Sequence, residues 1–203
     1  MIIGLEREKI IMKAKRFKFI VPFVLLLSVS LFSTAQSKYF TRNGKVSFDA
    51  TSPSSPEKID GKNEKATSVL DASNGQLEFA VLMKAFMFEK ALMEEHFNEN
   101  YVESDKFPKA TFKGVIRNMS EINLLKDGTY VTKVAGKLTL HGVTKDVETT
   151  GTITVKGGSV SAKSDFKILL SDYNIQVPSL VQDKVAKEAT ISVDVNYDLL
   201  KTS

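Results

Sequence analysis

Residues 130–155 read YVTKVAGKLTLHGVTKDVETTGTITV, and the order of side chains in this stretch decides the fold. Tyr130, Thr132, Val134, Gly136, Leu138 and Leu140 fall on one side of an extended chain, and Val131, Lys133, Ala135, Lys137, Thr139 and His141 on the other. After the turn-like HGVTKD the alternation resumes, with Val147, Thr149, Gly151, Ile153 and Val155 opposed by Glu148, Thr150, Thr152, Thr154 and Lys156. Successive side chains of a strand point to opposite faces, so period two with one apolar face predicts half-buried strands. The stretch therefore reads as a hairpin of an antiparallel sheet, aliphatic on one face and wet on the other.

The same pattern extends in both directions. Downstream, Gly157-Gly158 turns the chain into Val160, Ala162, Ser164, Phe166, Ile168 and Leu170. Tyr173 to Ala186 is irregular around Pro178, with a helical turn expected within Ser179–Val185. The last strand sets Ala189, Ile191, Val193, Val195, Tyr197 and Leu199 against polar neighbours. Upstream, Asp127-Gly128 turns back to Ala110, Phe112, Gly114 and Ile116. Phe86, Leu92, Met93 and Phe97 fall near helical spacing and predict a short helix from about Glu89 to Phe97. Asn74-Gly75 is a strong hairpin signal. In the arm that follows it, Leu77, Phe79, Val81 and Met83 share a face, while Ala80 and Leu82 predict a strand covered on both sides. Thr51 to Lys65, broken by Pro53, Pro56 and Asp60-Gly61, reads as a loop with one helical turn at Pro56–Ile59. A first strand is expected at Lys45–Ala50.

About eight hairpin-connected strands with one helix between the third and fourth predict an all-β, eight-stranded antiparallel barrel, since closure removes the unpaired edges of long strands. On pattern alone, a sandwich stays open. The inward phase puts Phe79, Val81, Phe112, Ile116, Val134, Leu138, Leu140, Ile153, Phe166, Ile168, Ile191 and Val193 in the interior. Phe86, Met93 and Phe97 are placed to cap one end.

Residues 1–35 differ in kind. Lys13, Lys15, Arg16 and Lys18 precede the apolar run Phe19–Phe32, and Ser33-Thr34-Ala35 follows. That order predicts a secretory leader cleaved after Ala35, with residues 36–203 as the exported domain. The run is too short for the roughly 20 residues that span a bilayer, so no transmembrane anchor is expected. The leader holds six Lys and Arg and two Asp and Glu, out of 28 and 24 in the whole chain, leaving 22 of each in the remainder. With no net positive charge left, nucleic acid is not an expected partner. There is no cysteine, which excludes disulfides, thiolate nucleophiles and thiolate metal sites.

Four stretches together resemble one family: EEHFNENYVESDKFPKATFKG (94–114), GKLTLHGVTKDV (136–147), SDFKILLSDYNIQVP (164–178) and KEATISVDVNY (187–197). They are similar to the YceI-like family of polyisoprenoid-binding, lipocalin-like exported proteins. The resemblance implies an eight-stranded barrel whose apolar cavity holds a long isoprenoid chain, and location in the periplasm or secretion. The opening YFTRNGKVSFDATSPSSP lacks the Trp and His that many members carry there, so the ligand is carried over only as a class.

Little else in the sequence suggests chemistry. The chain has two histidines. His141, before Gly142, reads as a turn residue whose ring bonds backbone groups, with a metal ligand or general base as the alternative. His96 lacks the partner of an H-E-x-x-H motif and reads as structural. No G-x-S-x-G elbow or phosphate loop is present, so no catalytic residue, cofactor or metal is expected. Three functions follow in order: a non-catalytic carrier of a long-chain isoprenoid or other apolar lipid, a filled-barrel envelope stress or interaction protein, and an enzyme using His141. The oligomeric state stays open, a homodimer included.

Overall fold

Alternating segments become strands wherever a partner strand can take up their backbone groups, and here every strand has two neighbours. The computed structural model describes residues 38–200. The strands are β1 (Lys38–Thr51), β2 (Asp60–Asp71), β3 (Gln76–Leu82), β4 (Lys109–Ile116), β5 (Gly128–Leu140), β6 (Val143–Lys156), β7 (Ser159–Leu169) and β8 (Val185–Leu200). They form a closed antiparallel barrel in which each pairs with the next in sequence and β8 returns to β1. One short helix, α1 (Ala91–His96), lies between β3 and β4. The expected leader and its cleavage site lie outside the described residues. Among the described residues no helix is long and apolar enough to cross a membrane.

The hairpin that decided the fold is paired along its whole length, from Gly128↔Val155 to Leu140↔Val143. Its turn is only His141-Gly142, both with positive φ (49° and 73°), as a two-residue hairpin turn requires. The residues VTKD, read with the turn, are already strand. Gly114 and Gly136 face each other across β4 and β5. A Cβ on Gly136 would lie 2.5 Å from the Gly114 Cα and the Lys113 carbonyl oxygen, and 2.6 Å from the Phe112 ring. The space these glycines leave is thus taken by Phe112.

The end carrying the β2–β3, β4–β5 and β6–β7 connections is shut by buried Tyr39, Leu70, Leu77, Ile122, Leu124 and Tyr197. The other end is roofed by the β3–β4 connection. The β2–β3 and β6–β7 junctions are closed by strand pairing only in the lower, shut half. β2 and β3 pair from Thr67↔Ala80 to Leu70↔Leu77, and β6 and β7 only from Gly151↔Ser164 to Lys156↔Ser159. Above those points the wall is two four-stranded leaves, β3–β6 and β7–β8–β1–β2.

Several expectations are corrected. β1 starts at Lys38 rather than Lys45, running through a register shift between Thr41 and Gly44. β2 starts at Asp60, inside the stretch read as loop, and residues 56–59 form no helical turn. Leu82 is 53% exposed, so β3 is covered on one face only. The helix starts two residues later than expected and continues past His96 as a π-helical turn, Phe97–Tyr101.

Candidate functional site: the barrel cavity

Inward-facing aliphatic and aromatic side chains surround a cavity of about 570 Å³. Volumes of roughly 300–1,000 Å³ are typical of small-molecule sites. The structure places all fifteen sequence-predicted positions on its wall. Phe79 and Val81 come from β3, Phe112 and Ile116 from β4, Val134, Leu138 and Leu140 from β5, and Ile153 from β6. Phe166 and Ile168 come from β7, Ile191 and Val193 from β8, and Phe86, Met93 and Phe97 from the roof.

The roof is a cluster of phenylalanines. Phe48 of β1 stacks on Phe97 with ring centroids 5.2 Å apart and planes 12° from parallel. Phe86 and Phe88 meet both rings at 5.0–5.8 Å in edge or tilted contacts. Offset and edge-on geometries are the favoured ones for aromatic pairs. Gly61 makes this packing feasible, because a Cβ there would sit 2.7 Å from Phe48 and 2.9 Å from Phe88. Phe48 and Phe88 are site residues that the sequence reading did not assign. The alternation of Val46, Phe48 and Ala50 was the available signal for Phe48.

Beside the roof the rim is polar. Glu57, Lys90, His96 and Lys184 line the cavity there. Lys90 Nζ donates to Glu57, and this hydrogen bond holds the Glu57 carboxyl below its ordinary range and the Lys90 ammonium above its own. Inside, the polar lining is mainly hydroxyl: Thr132 and Ser164 lie against Gly151, and Ser47, Thr111, Thr149 and Thr152 add to it. Near the floor, the Tyr197 and Ser68 hydroxyls are 2.8 Å apart and buried. Desolvation pushes the Tyr197 phenol up to about 12, the Ser68 hydrogen bond opposing it only in part.

His141 is not on the cavity wall. Its Nδ1 donates to the Tyr173 carbonyl at 2.9 Å, its Nε2 lies 2.8 Å from Glu103 Oε2, and its ring meets the Phe107 ring edge-on at 4.7 Å. The ring therefore ties the β5–β6 turn to the segments after β7 and before β4, as the turn reading of this histidine expects. Backbone strain gathers here: Glu103, His141 and Asn174 are the non-glycine residues with positive φ among those described. His96 is an exposed residue of α1. Among the described residues, no group of three or more His, Asp and Glu side chains could hold a metal ion.

An eight-stranded antiparallel barrel around a large apolar cavity defines a lipocalin-like class of protein. Residues 34–197 match the sequence model of the YceI-like domain, and the chain belongs to the YceI-like family. Its barrel is similar to that of a polyisoprenoid binding domain from Saccharophagus degradans implicated in plant cell wall breakdown. The two are 10% identical, with a TM-score of 0.70 over 81% of this chain and 99% of that one. Burkholderia cenocepacia BcnA is 20% identical, with a TM-score of 0.62 over 76% of this chain and 96% of its own. A Campylobacter jejuni YceI protein is 17% identical, with a TM-score of 0.52 over 72% and 87%. At these identities the likeness is one of fold. No curated protein sequence matches the chain.

Proposed function

We propose that this protein is an exported, non-catalytic carrier that holds a polyisoprenoid or similar amphiphilic lipid in the barrel cavity. The observation that carries the reading is the cavity itself, about 570 Å³ of space walled almost wholly by aliphatic and aromatic side chains. Apolar burial is non-directional, so such a wall grips a chain without fixing its chemistry atom by atom. The polar head belongs at the rim, where Glu57, Lys90 and Lys184 meet the solvent. Family membership and the polyisoprenoid binding domain of similar fold support the ligand class.

Two further parts of the reading rest on the sequence. Export to the periplasm or outside the cell follows from the leader-like residues 1–35. Holding rather than converting the ligand fits the absence of cysteine and the engagement of both His141 nitrogens by protein groups away from the cavity. A filled barrel acting as an envelope stress or interaction protein is the second reading, and the open cavity weighs against it.

Native mass spectrometry of the exported protein, followed by organic extraction, tests the proposal. A stoichiometric apolar lipid on a chain beginning at Gln36 is the expected result. For a chain recovered bare, a Leu138→Trp reporter titrated with a long isoprenoid alcohol decides. The protein has no other tryptophan, and failure to bind at any accessible concentration overturns the carrier reading.

A further inference from the structure

The two places where the barrel wall splits are not alike. At the β2–β3 fork the gap is sewn shut. Lys62 and Met87 exchange two backbone hydrogen bonds of 3.0 and 2.8 Å, and the buried Asn63 amide donates to the Leu82 carbonyl at 2.8 Å. At the β6–β7 fork pairing ends at Gly151↔Ser164, while β6 runs on to Val143 and β7 to Leu169. No β6–β7 pairing resumes among the described residues.

This second gap is bounded rather than free. Its lower corner is held by side chains: Ser164 Oγ donates to the Thr150 carbonyl at 2.8 Å, and Thr149 Oγ1 lies 3.3 Å from Ser164 Oγ. Its upper corner is held by the His141–Tyr173 hydrogen bond. Gly151 lies tight against β7 at that corner, since a Cβ there would lie 2.5 Å from the Lys163 carbonyl. Val147 and Thr149 from one lip and Ser164, Phe166 and Ile168 from the other also line the cavity. The gap therefore opens on the apolar interior.

We infer that this β6–β7 seam is the route by which the apolar chain of the ligand enters and leaves the cavity. The inference rests on the carrier reading and adds a path to it. The alternative route, at the roofed end, runs beside the cluster of Phe48, Phe86, Phe88 and Phe97 with its five aromatic contacts. It also leads an apolar chain past the Lys90–Glu57 ion pair. The seam has no strand pairing to break, only the side-chain hydrogen bonds of its lower corner, Thr149 Oγ1 to the Asp165 carbonyl at 3.5 Å among them, and its inward lining is aliphatic, aromatic and hydroxyl. Its charged side chains, among them Glu148 and Lys167, are exposed on the outer face. Between its held corners the unpaired seam can spread without unfolding either leaf, because each lip keeps its other neighbour: β5 along β6, and β8 along β7.

The absence of cysteine makes the test clean. Glu148→Cys with Lys167→Cys lie opposite each other if the β6–β7 register is continued across the gap. A bis-maleimide bridge then ties the lips together. Lys113→Cys with Lys137→Cys, directly paired across β4 and β5, is the control bridge. Uptake of geranylgeraniol is followed by stopped-flow fluorescence of Leu138→Trp in both backgrounds. The expected result is a tenfold or larger fall in association rate on bridging the seam, and less than a twofold change on bridging the control. Equal rates in the two bridged proteins overturn the seam as the route. Absence of uptake in the unbridged proteins strikes the carrier reading instead. Thr150→Cys with Asp165→Cys, two pairs lower and on the same outer face, makes the same measurement if the first pair does not fold.

Discussion

Lengthening the ligand one isoprene unit at a time probes the cavity most directly. An engineered cavity of about 150 Å³ takes up benzene, six carbons. By that measure the 570 Å³ here holds roughly two dozen carbons, a chain of about four to five units. Each buried carbon contributes about 0.8 kcal/mol, or about 4 kcal/mol per unit. Ordering the unit costs on the order of 1 kcal/mol, leaving about 3 kcal/mol, a factor of roughly 100 in Kd. Affinity should therefore climb about 100-fold per unit from the C10 to the C20 alcohol and then level off, because further carbons remain in water. The assay is competitive displacement from the Leu138→Trp protein, with detergent kept below its micellar concentration. Ala162→Trp, which puts a large ring into the lower wall, should move the plateau to a shorter chain. A flat series from C10 onward, or one that levels at the same length in Ala162→Trp, would refute the claim that cavity volume sets the gain.

Three other outcomes follow from the packing. His141→Ala removes the hydrogen bonds to Tyr173 and Glu103, so urea unfolding should show a loss of about 2 kcal/mol; a loss below about 1 kcal/mol would mean the turn holds without its ring. Gly136→Ala drives a methyl group into backbone 2.5 Å away and should cost about 3 kcal/mol, visible as a fall in Tm. The Tyr197 phenol, pushed up from 10.0 to about 12, binds its proton more tightly folded than unfolded. Its contribution is therefore complete below pH 10 and lost as pH rises to 12. The wild type should lose about 2–3 kcal/mol over that interval relative to Tyr197→Phe, and parallel pH profiles would contradict the burial of this hydroxyl.

The interior phase of the barrel was legible because period two survives wherever the inward residue is large and apolar. Each strand from β3 onward has enough such residues to hold the phase across inward Gly, Thr and Ser, and the residues read as inward do line the cavity. Where inward positions are filled otherwise, the signal fades. β2 buries Gly61 and Asn63, one to admit Phe48 and Phe88, the other to bond Leu82. Neither is hydrophobic, so the segment looks like loop. In β1 the irregular register around Arg42 and Asn43 leaves two consecutive residues exposed. That breaks the alternation, and Asn43-Gly44 then resembles a turn. Leu82 misled in the opposite direction, an apolar residue facing solvent. The bridge from His141 to Glu103 joins residues 38 positions apart, a pairing of distant segments that no local pattern encodes.

The completed ring of pairing in the lower half gives the barrel two mechanical regimes. Apart from the β1–β8 register shift between Phe40 and Lys45 and from Gly128–Lys133 of β5, which pair with β6 alone, the strands below Gly151 and Ala80 are hydrogen-bonded on both sides, so their amides open to solvent only when the girdle itself gives way. Those amides should exchange only with global unfolding. Above it, the leaves stay tied at the β2–β3 fork by Lys62, Asn63, Leu82 and Met87, but at the β6–β7 fork one rim can fray while the other keeps its protection. Such a molecule is a cup with a stiff base and a pliant lip. Its tolerance for cargo of varied width resides in the lip, and its resistance to denaturation in the base.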